Sequence, residues 1–178
     1  MTISDTLMIA AVILGPIIAV QLQKCIETWR EAKGRKLLLF RSLMATRATP
    51  VSPEHVQALN MIDIEFYGDK QNDKTVTDAW KAYLDHLNNG PKDFESPTFQ
   101  SRLDAWALKS NDYLTDLLFA MSQDLGYTFD KVQLKRGAYY PQGHADIEQE
   151  QMVLRRGLAD IVLGRRRFPI SVIPENQR

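Results

Sequence analysis

Basic and aromatic side chains are concentrated between positions 127 and 167 of the 178-residue sequence. Guanidinium groups form paired hydrogen bonds with phosphate oxygens, and aromatic rings stack on nucleobases. The pattern therefore predicts a site for a polyanion such as a nucleotide or a single-stranded DNA oligomer. The cationic candidates are Lys131, Lys135, Arg136, Arg155, Arg156, Arg165, Arg166 and Arg167, and the stacking candidates are Tyr127, Tyr139 and Tyr140.

The same cations have a second interpretation. Arg165 to Arg167 would complement the dipole at the end of a helix, or would face anionic lipid. The sequence alone does not choose between these interpretations.

Catalytic and metal-binding patterns are absent from the sequence. His55, His86 and His144 are isolated from one another and match no ligand spacing, and no nucleophile or phosphate-loop motif occurs. Cys25 is the only cysteine, which excludes an intramolecular disulfide and a cysteine metal cluster. We therefore expect no enzyme, no metal and no cofactor. Cys25 itself is either a small apolar filler or a site of S-acylation.

An apolar run lies near the N-terminus, before all of these candidate residues. The stretch from Thr6 to Leu22 is uncharged, and as a helix it would be about 25 Å long, slightly less than a hydrocarbon core of about 30 Å. Asp5 before it and Lys24 after it do not fit a cleaved signal peptide. The run predicts a marginal, uncleaved transmembrane helix, with a buried helix of a soluble protein as the alternative.

The charges that follow predict the topology. Residues 1–50 carry seven Lys and Arg against three acids, and most of these cations follow the apolar run. The positive-inside rule then places the N-terminus outside and the remaining chain in the cytoplasm. Residues 51–127 are acidic and residues 128–178 basic.

Small residues recur at every fourth position of the apolar run. Ala11, Gly15 and Ala19 would form a smooth ridge on a helix, which allows a second helix to approach closely. Pro16 predicts a kink beside the ridge. These four residues predict a homo-oligomer that packs through its membrane helices.

The remaining sequence predicts a mainly α fold with at most a short strand near the C-terminus. We divide the chain into a transmembrane helix (1–23), a basic juxtamembrane helix and linker (24–50) and a cytosolic helical domain (51–178). The first expected helix covers Trp29 to Arg47 and either continues from the membrane helix or is interrupted at Gly34. The next begins at Pro53, with a core stripe of Val56, Leu59, Ile62 and Phe66, and a further helix covers Thr75 to Asn89, with a stripe of Val76, Ala79, Trp80, Tyr83, Leu84 and Leu87. A longest helix from Ser96-Pro97 to Gly126 and a last helix ending at Gly164 follow. Residues 68–74 and 127–144 are expected to be loops, the second with an optional short strand, and Phe168 to Ile173 an edge strand or tail.

Four segments resemble a family of small bacterial proteins of unknown function, whose pattern is one N-terminal span followed by a domain of this kind. The segments are FRSLMATRA (Phe40 to Ala48), SPEHVQALNMIDIEF (Ser52 to Phe66), DAWKAYLDHLN (Asp78 to Asn88) and FDKVQLKRGAYYPQGHADIEQEQ (Phe129 to Gln151). The layout also resembles the membrane effectors of Hailong-type anti-phage systems. That resemblance implies a tetramer held silent by a DNA oligomer, which a nucleotidyltransferase from the same operon makes.

Two functions follow as expectations. The first is an oligomeric single-pass effector, in anti-phage defence, whose cytosolic domain senses a polyanion and controls membrane permeability. The second is a membrane-anchored helical adaptor that recruits a protein partner and forms no pore.

Overall fold

The computed structural model describes the backbone of residues 3–167 and the side chains of residues 14–143, 146, 147 and 149–167. Within residues 3–167 every regular element is a helix, which confirms the mainly α prediction. The helices are α1 (Ile3–Thr46), α2 (Pro53–Asn60), α3 (Ile62–Glu65), α4 (Gln71–Asn88), α5 (Phe99–Leu125), α6 (Lys131–Arg136) and α7 (Gln142–Val162). The strand predicted at Phe168 to Ile173 lies outside the described residues.

The described helices belong to two compact units, residues 1–138 and 139–178. In the first unit α4 packs along α5, and α1 packs against α2, α3 and α5. His86 near the end of α4 contacts Trp106 near the start of α5, which shows that the two helices are antiparallel. In the second unit α7 is the described helix.

A single apolar core holds the first unit together. Each of α1 to α6 contributes at least one buried apolar side chain, and α5 contributes most. Burial of such side chains is the main favourable contribution to folding. The largest fully buried apolar side chains are Leu43, Ile62, Phe66, Val76, Leu117, Leu118, Met121 and Leu134.

Helix α1 corresponds to the continuous alternative. It runs without interruption from Ile3 to Thr46 through both Pro16 and Gly34, so the interruption at Gly34 does not occur. A glycine inside a helix costs only about 1 kcal/mol, which the packing of Leu39, Phe40 and Leu43 in the core outweighs. With 44 residues, α1 and not α5 is the longest helix.

Local capping signals predict several boundaries correctly. Ser52 Oγ accepts a hydrogen bond from the His55 amide at 3.2 Å, with Pro53 in the first helical position, so α2 begins where expected. Gly126 ends α5 in the left-handed conformation (φ 86°), which glycine adopts without strain. These boundaries depend on neighbouring residues alone.

Other boundaries differ from the prediction. The helix that begins at Pro53 stops at Asn60, and α3 restarts at Ile62. Of the expected core stripe, Leu59, Ile62 and Phe66 are buried, whereas Val56 is half exposed. Residues 71–74 belong to α4 and not to a loop, because Asp73 is recruited to a buried ion pair. Helix α5 begins at Phe99 without a side-chain cap.

The segment 127–144 contains helices where a loop or strand was expected. Asp130 caps α6, its carboxylate accepting from the Gln133 amide at 2.7 Å, while the Gln133 side chain accepts from the Asp130 amide. This reciprocal arrangement is a capping box. The Asp-x-x-Gln spacing is visible in the sequence and would have located the helix.

Candidate functional site

The first part of α1 presents an unpartnered apolar surface within the first unit. Residues 14–31 are all exposed, and the large apolar side chains among them are 50–59% exposed. A contiguous apolar surface of this kind marks a site of contact with a membrane or with another protein. The side chains are Leu14, Ile17, Ile18, Val20, Leu22, Ile26 and Trp29.

Among the described residues, no helix is both long enough and apolar enough to cross a membrane. The side chains of residues 6–13, which form the first half of the predicted span from Thr6 to Leu22, lie outside the described residues.

The small-residue ridge is partly described. Gly15, Pro16 and Ala19 lie on the exposed part of α1, while the Ala11 side chain lies outside the described residues. A Cβ atom added at Gly15 would meet nothing within 4 Å. The described part of the ridge is therefore open in the single chain and free to receive another helix. Cys25, also on this stretch, is an exposed free thiol.

A buried ion cluster attaches α1 to the rest of the unit. Lys36 Nζ donates to the carboxylates of Asp73 on α4 and Asp124 on α5, the second at 3.1 Å, and lies 4.7 Å from the centre of the Phe66 ring. The three charged side chains are only 16%, 7% and 10% exposed. Burial opposes the charge on Lys36, but its hydrogen bonds to both carboxylates outweigh that effect and raise its pKa above 10.5. Lys36 is therefore a permanent cation that joins three helices.

A cavity of about 800 Å³ opens between α2, α4, α5 and α6. This is within the size range of small-molecule sites, which are typically apolar with a few placed polar groups. Burial raises the pKa of Tyr83, in its wall, to about 12, so this phenol stays neutral. The apolar wall consists of Val51, Val56, Leu59, Trp80, Tyr83, Leu84, Leu87, Trp106, Leu114, Leu118 and Leu134.

Of the predicted cationic site, Lys131, Lys135 and Arg136 lie together on α6. Lys131 Nζ is 2.6 Å from an Asp116 carboxylate oxygen, and Lys135 pairs with Asp112, both on α5. These carboxylates neutralise two of the three cations. Arg136 forms no ion pair with a described residue.

The predicted stacking residues occupy different environments. Tyr127 lies against Phe40 and Phe129, with ring centroids 5.8 and 5.6 Å apart, so part of its face is already used in the core. Tyr139 is 87% exposed and Tyr140 is half-buried. Only Tyr139 presents a whole ring to solvent.

The remaining predicted cations belong to the second unit. Arg155 and Arg156 lie on α7, and Arg165 to Arg167 follow its end. All five are exposed, and Arg165 lies 3.9 Å from Asp160. The other four form no ion pair with a described residue. Residues 155–167 thus carry five arginines and one aspartate.

His86 and His55 are both engaged within the first unit. His86 Nε2 lies 2.9 Å from Ser110 Oγ and 3.1 Å from the Trp106 carbonyl oxygen. His55 is fully buried, with its Nδ1 atom 2.9 Å from the Thr46 hydroxyl. That hydroxyl donates to the Ser42 carbonyl, which leaves it as an acceptor for the Nδ1 proton. The His55 Nε2 atom is buried without a hydrogen-bond partner among the described residues.

This environment of His55 predicts a specific pH dependence. Burial lowers the pKa of His55 below 6.5, although a hydrogen bond to the backbone of Thr46 opposes the shift. Below pH 6.5 the unfolded chain therefore binds a proton that the folded chain does not. We expect the free energy of unfolding to fall as pH decreases, by up to about 1.4 kcal/mol per pH unit, until the folded-state pKa is reached. Urea unfolding between neutral and mildly acidic pH measures this.

His55→Asn is the control for this measurement, because a carboxamide keeps a donor near Thr46 and does not titrate. The difference between the two unfolding curves should grow below pH 6.5. Parallel curves for the parent and the variant would show that His55 is not the group responsible.

The first unit is thus a helical bundle with an apolar cavity and an exposed apolar helix. A family model described as a family of unknown function, DUF6680, matches residues 1–178, and the chain belongs to that family. No curated protein and no solved structure matches the chain.

Proposed function

We propose that this protein is a self-associating, membrane-anchored module in which α1 couples the anchor to a ligand-binding helical domain. The observation that carries the proposal is the dual character of α1. Its residues 14–31 expose an apolar surface, whereas Leu39, Phe40 and Leu43 of the same uninterrupted helix are buried in the core. A rigid helix of this kind would carry a change in domain arrangement to the anchor.

In its more specific form the proposal is an effector of membrane permeability, as the resemblance to defence effectors suggests. One helix encloses no path, so several copies must line an opening. Ligand binding would then shift the equilibrium between a closed and an open state of the oligomer, because the ligand binds the two states with different affinities. The exposed arginines between positions 155 and 167 are the best candidates for a polyanionic ligand, since two of the three cations on α6 are already paired.

Expression of the full-length chain in bacteria tests this proposal. We expect depolarisation of the cells and a detergent-solubilised complex with a mass of several chains. Gly15→Leu with Ala19→Leu, which removes the ridge, should leave the protein in the membrane fraction but abolish both effects. Ile18→Leu with Val20→Leu is the matched control and should retain them. A monomeric parent protein in mild detergent would rule the proposal out.

The alternative is an adaptor that presents its helical domain to a protein partner. The apolar cavity of the first unit favours this function, because it could hold a partner's side chains. An adaptor should produce no depolarisation at any expression level, and the ridge variants should behave as the parent does.

A further inference from the structure

We infer that the cavity of the first unit is a binding site for a single long-chain fatty acid, with the acyl chain along the apolar wall and the carboxylate at Arg47. This inference goes beyond the proposed function, because it concerns a site separate from the α1 surface and from the arginines of the second unit.

The charge of the cavity lining supports an anionic ligand. Among the described residues that line it, the charged ones are Arg47 and Lys135, and no aspartate or glutamate is present. Lys135 is paired with Asp112, which lies outside the lining. One uncompensated positive charge remains, and it suits a monoanion such as a carboxylate.

Arg47 has the hydrogen-bonding capacity that such a ligand needs. Its Nη1 atom donates to the Met44 carbonyl at 3.2 Å. Its Nε atom is buried and has no hydrogen-bond partner among the described residues. A buried donor without an acceptor is unfavourable. A guanidinium carries five N–H donors in a planar arrangement, and those on its terminal nitrogens can pair with a carboxylate that enters the cavity.

The two cations lie at the same end of the cavity. Lys135 is in the last turn of α6, and Gly137 ends that helix. Arg47 Nη2 would be only 3.2 Å from a Cβ atom at Gly137, so the guanidinium packs directly on this helix end. Trp80, Trp106 and Leu118 line the apolar wall. Two cations at one end and large apolar side chains in the wall match the chemistry of a fatty acid.

Two tryptophans in the wall provide a direct probe. The chain has three tryptophans, of which Trp29 lies on the exposed part of α1 and the other two line the cavity. We would therefore use the full-length Trp29→Phe protein in lipid nanodiscs at mildly alkaline pH. Dibrominated stearate, which quenches indole fluorescence at short range, is titrated in parallel with its methyl ester.

We expect saturable quenching by the acid and at least about tenfold weaker binding of the ester, as for a lost charge-assisted hydrogen bond. Shortening the acid by two carbons should weaken binding by roughly tenfold. Ala107→Phe, at an exposed position of the lining, should block the cavity and weaken binding by a similar factor. Ala105→Phe, on the same helix but outside the lining, is the matched control and should leave binding unchanged.

Arg47→Met should remove the difference between the acid and the ester. If this variant does not fold, the ester comparison and the Ala107→Phe variant still test the inference. Equal binding of the acid and the ester by the parent would overturn it, as would quenching that Ala107→Phe does not alter. Stronger quenching by a brominated phospholipid, or by a helical peptide that carries a bromine label, than by brominated stearate would assign the cavity to that occupant instead.

Discussion

Lys36→Met should lower the free energy of unfolding by about 3–5 kcal/mol, the usual effect of removing one partner from a buried ion pair. The variant leaves the carboxylates of Asp73 and Asp124 facing each other across an apolar methionine, with each side chain at most 10% exposed. Two buried like charges without a cation are strongly unfavourable. Urea unfolding of the full-length protein at neutral pH measures the loss.

Two further variants identify the cause. Lys36→Met combined with Asp73→Asn and Asp124→Asn removes all three charges and should recover most of the lost stability, because the uncompensated carboxylates are gone. Lys81→Met removes an exposed lysine that lies 3.7 Å from Asp78, and should cost less than about 1 kcal/mol. If Lys36→Met were no worse than Lys81→Met, the cluster would not be what attaches α1 to α4 and α5.

The pH dependence of this cluster follows from the raised pKa of Lys36. A lysine whose pKa is higher in the folded state than in the unfolded state contributes its full stabilisation below pH 10.5. That contribution is lost only as the pH rises through the folded-state pKa. Lys36 therefore keeps its proton throughout the range in which His55 changes stability.

The parts of the fold that depend on adjacent residues are predictable from the sequence. Ser52 and Pro53 begin α2, and Gly126 ends α5, each through the backbone groups of its own segment. Asp130 and Gln133 show that even a missed helix can carry such a signal. In each case the information lies within four residues.

The parts that depend on distant partners are not predictable in this way. Lys36 is 37 residues from Asp73 and 88 from Asp124, and nothing in the sequence pairs them. The same reason explains why α4 begins earlier than expected, at Gln71 rather than Thr75. Tertiary contacts decide the state of a polar segment whose intrinsic preference is weak.

The candidate sites show the same limit. Lys131 and Lys135 are predicted as ligand-binding residues, but nothing in the sequence pairs them with the acids of α5 that neutralise them. Trp80, Tyr83 and Leu87 were correctly predicted as a core stripe of α4. A stripe does not reveal whether the opposing helices fill the space in front of it, so the cavity became visible only in three dimensions.

Charged substitutions in the exposed apolar part of α1 should have a second large effect, which is the loss of membrane association. Ile17→Asp with Val20→Asp should move the protein from carbonate-washed membranes to the soluble fraction. A charged residue at the centre of a membrane helix costs about 2.5–3.5 kcal/mol on insertion scales, so two should change the partition by about four orders of magnitude. Both side chains are half exposed and distant from the core, so the domain should stay folded, as circular dichroism can verify.

Ile64→Asp with Leu108→Asp is the matched control, since it makes the same replacement at two exposed apolar positions of α3 and α5. This variant should remain with the membranes. If the parent protein were itself soluble and oligomeric, and Ile17→Asp with Val20→Asp made it monomeric, the apolar surface of α1 would be covered by other copies of the chain and not by lipid. Because α1 is continuous with the core, that outcome would still couple assembly to the folded domain, but it would exclude membrane permeability as the output.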